Sequence, residues 1–200
     1  MKTKNNNKFL YNYFSDISKI SKNINLDILS ELIKEIAKIK SNKGRIFFLG
    51  VGGSAGNCSH AVNDFRKLCS IESYTPVDNT SELTARINDD GWKTSFSNWL
   101  EISKITKKDA IFIFSVGGGD IKRRISINLI EAIKLAKKNK TKILGVVGRD
   151  KCYTKKNGDC ILTIPNYNKL YLTPHSESFQ AIVWHAIVSH PLLKSAKTKW

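Results

Sequence analysis

The sequence predicts an α/β fold in which a parallel five-stranded sheet is flanked by helices. Short, nearly continuous apolar runs have the composition of strands that are covered on both faces. Segments with helical periodicity alternate with these runs, as in proteins built on a parallel sheet. The 200 residues contain no internal repeat and no linker, so we expect a single domain over residues 1–200. The predicted strands are 45–49, 73–76, 110–114, 141–147 and 160–164.

The chain should begin with two helices ahead of the first strand. Phe9, Tyr13, Ile17 and Ile20 recur at helical spacing and predict a helix over residues 8–22. A second helix follows Asn25, whose side chain can cap its first turn. This N-terminal segment, residues 1–41, either serves packing and oligomerisation or merely covers the sheet.

Helices of the remaining chain should lie between and after the strands. The first follows a glycine turn and extends to about Cys69, and the last ends before Pro191. Residues 88–91, Asn-Asp-Asp-Gly, predict a loop. The other predicted helices are 78–86, capped by Asp78 or Thr80, 92–105, 121–138 and 175–190.

The composition excludes several classes of protein. No apolar run is long enough to span a bilayer, and the N-terminus lacks a secretory pattern, so we expect a cytoplasmic protein without a membrane partner. The net charge of +16 comes mainly from scattered lysines, without a nucleic-acid-binding motif, and we expect no nucleic-acid partner. A basic surface instead favours phosphorylated substrates. The four cysteines form no metal-binding spacing and are expected to be free thiols.

Two glycine-rich loops follow predicted strands and should meet at one edge of the sheet. Ligands of such sheets bind beyond the carboxyl ends of the strands, and backbone N–H groups of glycine loops bind phosphate. Neither loop has the pattern of a P-loop or of a dinucleotide-binding turn. The predicted phosphate-binding residues are Gly52, Gly53 and Ser54 in the first loop and Ser115, Gly117, Gly118, Gly119 and Asp120 in the second.

Titratable side chains cluster in two helices. His60 and Asp64 are four residues apart and project from one helical face, although such a pair is often a core histidine beside a solvated acid. The last helix adds Glu177 and His185, and together the four side chains suit a divalent metal such as Zn²⁺. Glu177 and His185 are separated by about 12 Å along an ideal helix. They can share one metal only if the side chains lean together, the helix begins late, or they belong to sites of different subunits.

These motifs resemble the SIS-domain phosphoheptose isomerases over almost the whole chain. The resemblance is carried by Gly50-Val51-Gly52-Gly53-Ser54 followed by His60 and Asp64, by Asn88-Asp89-Asp90-Gly91, by the 115–120 loop, and by Glu177 followed by His185. It implies a flavodoxin-like three-layer sandwich and a homotetramer with active sites at subunit interfaces. It also implies conversion of D-sedoheptulose 7-phosphate to D-glycero-D-manno-heptose 7-phosphate through a metal-stabilised enediol.

The resemblance further assigns roles to individual residues. Zinc would be held by His60, Asp64, Glu177 and His185, with Asp64 as catalytic base and His185 as catalytic acid. Asp89 would join the two loops in binding the substrate. The alternative is a non-catalytic SIS module that binds a sugar phosphate or a partner protein, and the complete acid–base and metal set favours the enzyme.

Three positions depart from the family pattern. Val51 replaces an asparagine, and Asp64 replaces a glutamate that is one methylene longer. The second loop has lost several hydroxyl groups and carries Asp120. Its glycine N–H groups, or the cationic residues 122–124 that follow, can compensate by binding the phosphate.

Overall fold

The sheet has five parallel strands, as the sequence predicts. The computed structural model describes residues 2–197, with side chains from residue 7 onward. The strands lie in the order β2-β1-β3-β4-β5, and every neighbouring pair is parallel. Each strand falls within its predicted segment or extends it by one residue. The strands are β1 Ile46–Leu49, β2 Ser73–Tyr74, β3 Ala110–Ser115, β4 Lys142–Val147 and β5 Cys160–Thr163.

Helices connect the strands and precede them. Asn25 caps the second helix by accepting a hydrogen bond from the Ile28 amide at 2.9 Å, as predicted. A 3₁₀ turn, Lys169–Tyr171, precedes the last helix. The α-helices are α1 Lys2–Lys22, α2 Leu26–Ser41, α3 Gly53–Cys69, α4 Thr80–Asp90, α5 Ser95–Ile102, α6 Ile127–Lys138, α7 Tyr153–Asn157 and α8 Leu172–Ser189. No helix within residues 2–197 is long and apolar enough to cross a membrane.

The sheet separates two hydrophobic cores, which makes three layers. Phe48 and Phe112 face the core shared with α2, α3 and α8. Phe47 and Ile111 face the second core, which lies beneath α5 and α6. Because neighbouring residues of a strand point to opposite faces, both layers of helices are fixed by the same short strands. All residues of β1 and β3 are buried, which explains their continuous apolar composition.

Several predicted boundaries were wrong. The segment 88–90 is the last turn of α4 rather than a loop, and Asn79 rather than Asp78 or Thr80 caps that helix. Helix α6 begins at Ile127 instead of residue 121. The intervening turn is closed by two backbone hydrogen bonds of 3.0 Å between Asp120 and Ile125.

Left-handed backbone angles explain the late start of α6. Arg124 and Ser126 have φ values of 54° and 49°, which a right-handed helix cannot contain. The short helix α7 was not predicted because five residues give no measurable periodicity. The last helix begins earlier than predicted, at Leu172, because Pro174 is tolerated in a first turn, where amide groups need no helical partner.

Candidate metal and acid–base site

Helices α3 and α8 bring His60, Asp64 and His185 together on one side of the sheet. The Nε2 atom of His60 lies 3.5 Å from Asp64 Oδ2, and the Nε2 atom of His185 lies 3.3 Å from the same oxygen. His60 and Asp64 meet because they are one helical turn apart on α3. His185 comes from α8, which packs closely beside α3.

The acid of this cluster is buried, whereas its histidines are open to solvent. Asp64 is 8% exposed, and the side chains of His60 and His185 are 55% and 50% exposed. Asp64 Oδ2 also accepts a hydrogen bond from the indole Nε1 of Trp184 at 3.2 Å, and Oδ1 accepts one from Asn63 Nδ2 at 3.0 Å. These donors fix the carboxylate, while the imidazoles remain accessible to a small molecule.

The three side chains fit a zinc ion. One potential ligand atom from each of His60, Asp64 and His185 lies within 4.8 Å of the other two. Two imidazole nitrogens and one carboxylate oxygen are ligands that Zn²⁺ accepts, and three protein ligands leave a position for substrate. The Trp184 N–H is the kind of outer hydrogen-bond donor that orients a metal-binding carboxylate.

Glu177 lies elsewhere, over the start of α3, outside the cluster of His60, Asp64 and His185. A Cβ atom added to Gly53 would come within 2.5 and 2.7 Å of the two Glu177 carboxylate oxygens. The N-terminus of a helix attracts anions, so this carboxylate lies where the first glycine loop is most electropositive. Within one chain, Glu177 and His185 therefore lie too far apart to bind the same metal ion.

A polar contact next to Glu177 joins α3 to α8. Asn57 Nδ2 donates to the Glu177 carbonyl oxygen at 2.9 Å and to Gln180 Oε1 at 2.8 Å. Gln180 is fully buried. Contacts from Gly53 to Glu177, from Asn57 to Gln180 and from Asp64 to His185 show that the two helices run in the same direction.

Replacing Gly53 by alanine tests whether the Glu177 carboxylate matters at this position. The new methyl group would displace a flexible side-chain end rather than the backbone, so we expect the thermal midpoint to change little. We expect kcat/KM for the sugar phosphate to fall by about tenfold or more, because the displaced carboxylate would enter the loop that should receive the substrate. Gly56→Ala is the matched control, since nothing lies within 4 Å of its added Cβ. Equal kinetics for the two variants would exclude a role for the Gly53–Glu177 contact.

The second glycine loop is held by its own side chains and by α7. Ser115 Oγ accepts a hydrogen bond from the Gly118 amide at 2.9 Å. The Gly118 carbonyl accepts hydrogen bonds from the amide and the hydroxyl of Thr154, both at 2.8 Å. Gly118 and Gly119 have φ values of 66° and 83°, which favour glycine. The loop is thus rigid, although the Ser115 hydroxyl already has a partner within it.

Asp120 is turned towards its own loop. One carboxylate oxygen accepts a hydrogen bond from the Arg123 amide at 3.0 Å, and the other lies 3.7 Å from Arg123 Nε. The negative charge that the sequence places in this loop is therefore partly offset by Arg123. Nothing lies within 4 Å of a Cβ added to Gly117, so this part of the loop faces open space.

The other predicted site residues lie apart from the histidine cluster. Ser54 is buried in the first turn of α3. Asp89 is exposed on α4, where its carboxylate accepts a hydrogen bond from Asn88 Nδ2. His175, to which the sequence assigned no role in the site, is buried against the rings of Tyr13 and Tyr171, with centroid distances of 4.5 and 5.4 Å.

Sequence reasoning missed three polar residues that organise this region, Trp184, Asn57 and Gln180. Trp184 directly precedes His185 and reads as an apolar core residue. Asn57 and Gln180 are polar residues on helix faces that are otherwise apolar and point into the core. A polar residue in such a position indicates a buried hydrogen bond, and this was the signal that the sequence offered. Their pairing could not be read from the sequence because 123 residues separate them.

Comparison with known proteins shows that the chain is similar in sequence to phosphoheptose isomerases. The chain matches no protein-family model. It is 26% identical over 171 residues to the phosphoheptose isomerase of Helicobacter pylori strain P12. The aligned region covers 81% of this chain and 83% of that protein. It is 30% identical over 158 residues to the lincomycin biosynthesis protein LmbN of Streptomyces lincolnensis, which covers 74% of this chain but only 56% of LmbN.

The fold gives the same result. The phosphoheptose isomerase GmhA from Neisseria gonorrhoeae superposes with a TM-score of 0.78 at 20% identity, over 94% of this chain and 97% of that one. This agreement extends to the parallel sheet and its surrounding helices. In sequence and in fold, the chain is thus a divergent relative of the SIS-domain phosphoheptose isomerases.

Proposed function

We propose that the chain is a sugar-phosphate isomerase that converts D-sedoheptulose 7-phosphate to D-glycero-D-manno-heptose 7-phosphate. The observation that carries this proposal is the buried Asp64 carboxylate, placed 3.3 and 3.5 Å from two accessible imidazoles. The similarity to phosphoheptose isomerases supports the same reaction class. We place the enzyme in the cytoplasm.

The two oxygens of Asp64 suit different tasks. Oδ2 contacts both imidazoles and the Trp184 N–H, so it is the oxygen available for a metal. Oδ1 has a single neighbouring donor, Asn63 Nδ2, and retains a lone pair for proton transfer. A zinc ion held by His60, Asp64 and His185 would polarise the carbonyl and hydroxyl oxygens of the sugar.

The isomerisation needs one proton to move between neighbouring carbons. In the proposed reaction, Asp64 removes the proton next to the carbonyl group and returns it to the adjacent carbon after an enediol has formed. His185 Nε2, which faces Asp64, would hold the metal, so the other ring nitrogen, Nδ1, exchanges a proton with the sugar oxygens. The glycine loops 50–56 and 115–120 orient the phosphate, and Glu177 accepts hydrogen bonds from sugar hydroxyl groups.

The exposed histidines also support the proposed homotetramer. Half of each imidazole side chain of His60 and His185 is uncovered in the single chain. A neighbouring subunit placed over this face would exclude water from the reacting groups. The native mass in solution, measured by light scattering, tests this arrangement.

Replacing His185 by alanine tests the proposed activity. We expect metal-loaded wild-type protein to convert sedoheptulose 7-phosphate, and His185→Ala to lower kcat by at least about a hundredfold, the usual scale for losing a general acid. Zinc affinity, measured by calorimetry, should fall in the same variant because a ligand is lost. His190→Ala on the same chain is the control, since His190 lies beyond the end of α8 and should leave turnover within about twofold of wild type.

Two results would contradict this proposal. If metal-loaded wild-type protein left sedoheptulose 7-phosphate unchanged, the substrate would be wrong. If it bound the sugar phosphate without turning over any sugar phosphate, the non-catalytic binding module would be the better description. Full activity of His185→Ala would remove His185 from the chemistry.

A further inference from the structure

A cavity that is broadly open to solvent lies at the carboxyl edge of the sheet, apart from the histidine cluster. It has a volume of about 490 Å³ and lies between the turn that follows β3 and the segment that carries α7. Gly119, Asp120, Ile121 and Lys122 line one wall, and residues 150–156 line the other, except for the buried Thr154. This volume lies within the range of small-molecule sites.

The cavity and the histidine cluster belong to opposite faces of the sheet. Cys152 and Tyr153, which line the cavity, pack against the core beneath α5 and α6. Residues of α3 and α8 build the other core. A ligand in the cavity would therefore contact the back of the 115–120 loop, and would not contact His60 or His185.

The lining of the cavity contains more lysines than acids. The side-chain ammonium groups of Lys122, Lys151 and Lys156 form no hydrogen bond or ion pair within residues 7–197. Lys155 also lines the cavity, but its Nζ donates to the Ile161 carbonyl oxygen at 2.5 Å and is therefore held at β5. Two acids line the cavity. The Asp120 carboxylate accepts a hydrogen bond from the Arg123 amide, which leaves Asp150 as the other negative charge of the lining. The lining thus includes three unpaired lysines against two acids, and this excess of positive charge attracts an anion.

Apolar surface lies beside these charges. Ile121 is 59% exposed at the rim, and the Tyr153 side chain forms part of the wall. An isolated inorganic anion would leave this surface uncovered, whereas an organic phosphate with a ring could cover it. We propose that this cavity binds a small phosphate monoester that carries a flat ring system, as a nucleoside monophosphate does. The proposed ligand is separate from the isomerase substrate, although the cavity shares Gly119, Asp120 and Lys122 with the loop assigned to the substrate's phosphate.

Calorimetric titration with AMP tests the site. We expect AMP to bind wild-type protein and the double variant K151A/K156A to bind it about tenfold more weakly, because two ammonium–phosphate contacts are lost. Lys122→Ala, on the opposite wall, should weaken binding in the same direction. Inorganic phosphate should bind more weakly than AMP because it leaves Ile121 and Tyr153 uncovered. All lysines concerned are exposed, so each variant should retain the wild-type thermal midpoint.

The control removes two charges from the opposite edge of the sheet. Lys107 and Lys108 are exposed before β3, and K107A/K108A should bind AMP like wild type. Equal weakening in both double variants would show a nonspecific charge effect and overturn the proposal. So would an absence of AMP binding to wild type, or AMP binding that Asp64→Asn abolishes, since that would place AMP in the histidine cluster.

Discussion

Replacing Asp64 by asparagine should lower kcat of the sugar-phosphate isomerase reaction by about a thousandfold or more. Asparagine removes the only carboxylate of the His60–Asp64–His185 cluster, and with it both the proposed base and a proposed metal ligand. The amide oxygen of asparagine can still accept the hydrogen bond of Trp184. The fold should therefore persist, and the loss should be chemical rather than structural.

Kinetics, zinc titration and thermal melting together test this expectation. We expect Asp64→Asn to lose zinc affinity and turnover, with a thermal midpoint near that of wild type. Glu101→Gln is the control, since it also converts an acid to an amide, but at an exposed position at the end of α5, outside the cluster. Asp64→Glu restores the residue type of the family pattern and should retain more activity than Asp64→Asn. Near-wild-type turnover in Asp64→Asn would disprove the role of Asp64 as base.

Replacing Asp109 by alanine should destabilise the protein by about 3 kcal/mol, the scale found when one partner of a buried ion pair is removed. Asp109 is 2% exposed. It accepts hydrogen bonds from the Arg45 amide, the Arg45 guanidinium and the Thr106 amide, at 2.9, 2.9 and 2.8 Å for the shortest of each. These bonds join the beginning of β1 to the beginning of β3. Without the carboxylate, the partly buried guanidinium of Arg45 would have no counter-charge and would lie beside a small cavity.

The effect of Asp109 should depend on pH in a defined direction. Burial by itself raises the pKa of the Asp109 carboxyl, but the hydrogen bonds from Arg45 and Thr106 outweigh burial and lower the pKa. Its stabilisation is therefore fully present above the pKa of the unfolded chain, about 4. It is lost as the pH falls through the lower pKa of the folded protein. The difference in unfolding free energy between wild type and Asp109→Ala should shrink accordingly in acid.

Urea unfolding at several pH values measures this difference. Asp159→Ala is the control, because the exposed Asp159 carboxylate accepts one hydrogen bond, from the Ile143 amide of β4 at 2.7 Å. Its loss should cost about 1 kcal/mol. Equal destabilisation by the two variants would show that the Arg45–Asp109 pair adds nothing beyond an ordinary hydrogen bond.

The sequence by itself determined the strands, the order of the elements and the local pair in the site. Apolar runs predicted four of the five strands, all except β2, because buried parallel strands tolerate few polar residues. The spacing of His60 and Asp64 was sufficient to place them together, because a helix brings residues i and i+4 to one face. The start of α6 was mispredicted because the left-handed angles of Arg124 and Ser126 come from a turn that apolar periodicity does not reveal.

Only the tertiary structure decided what meets Asp64. Its contacts with Trp184 and His185 join residues that are about 120 positions apart, and they depend on how α3 and α8 align. The same alignment places Glu177 over Gly53 instead of beside the histidines. Helical periodicity fixes neighbours within one helix, but the register between two packed helices is set by side-chain packing over their whole length. The chemistry of the site was therefore visible in the sequence residue by residue, and its assembly was not.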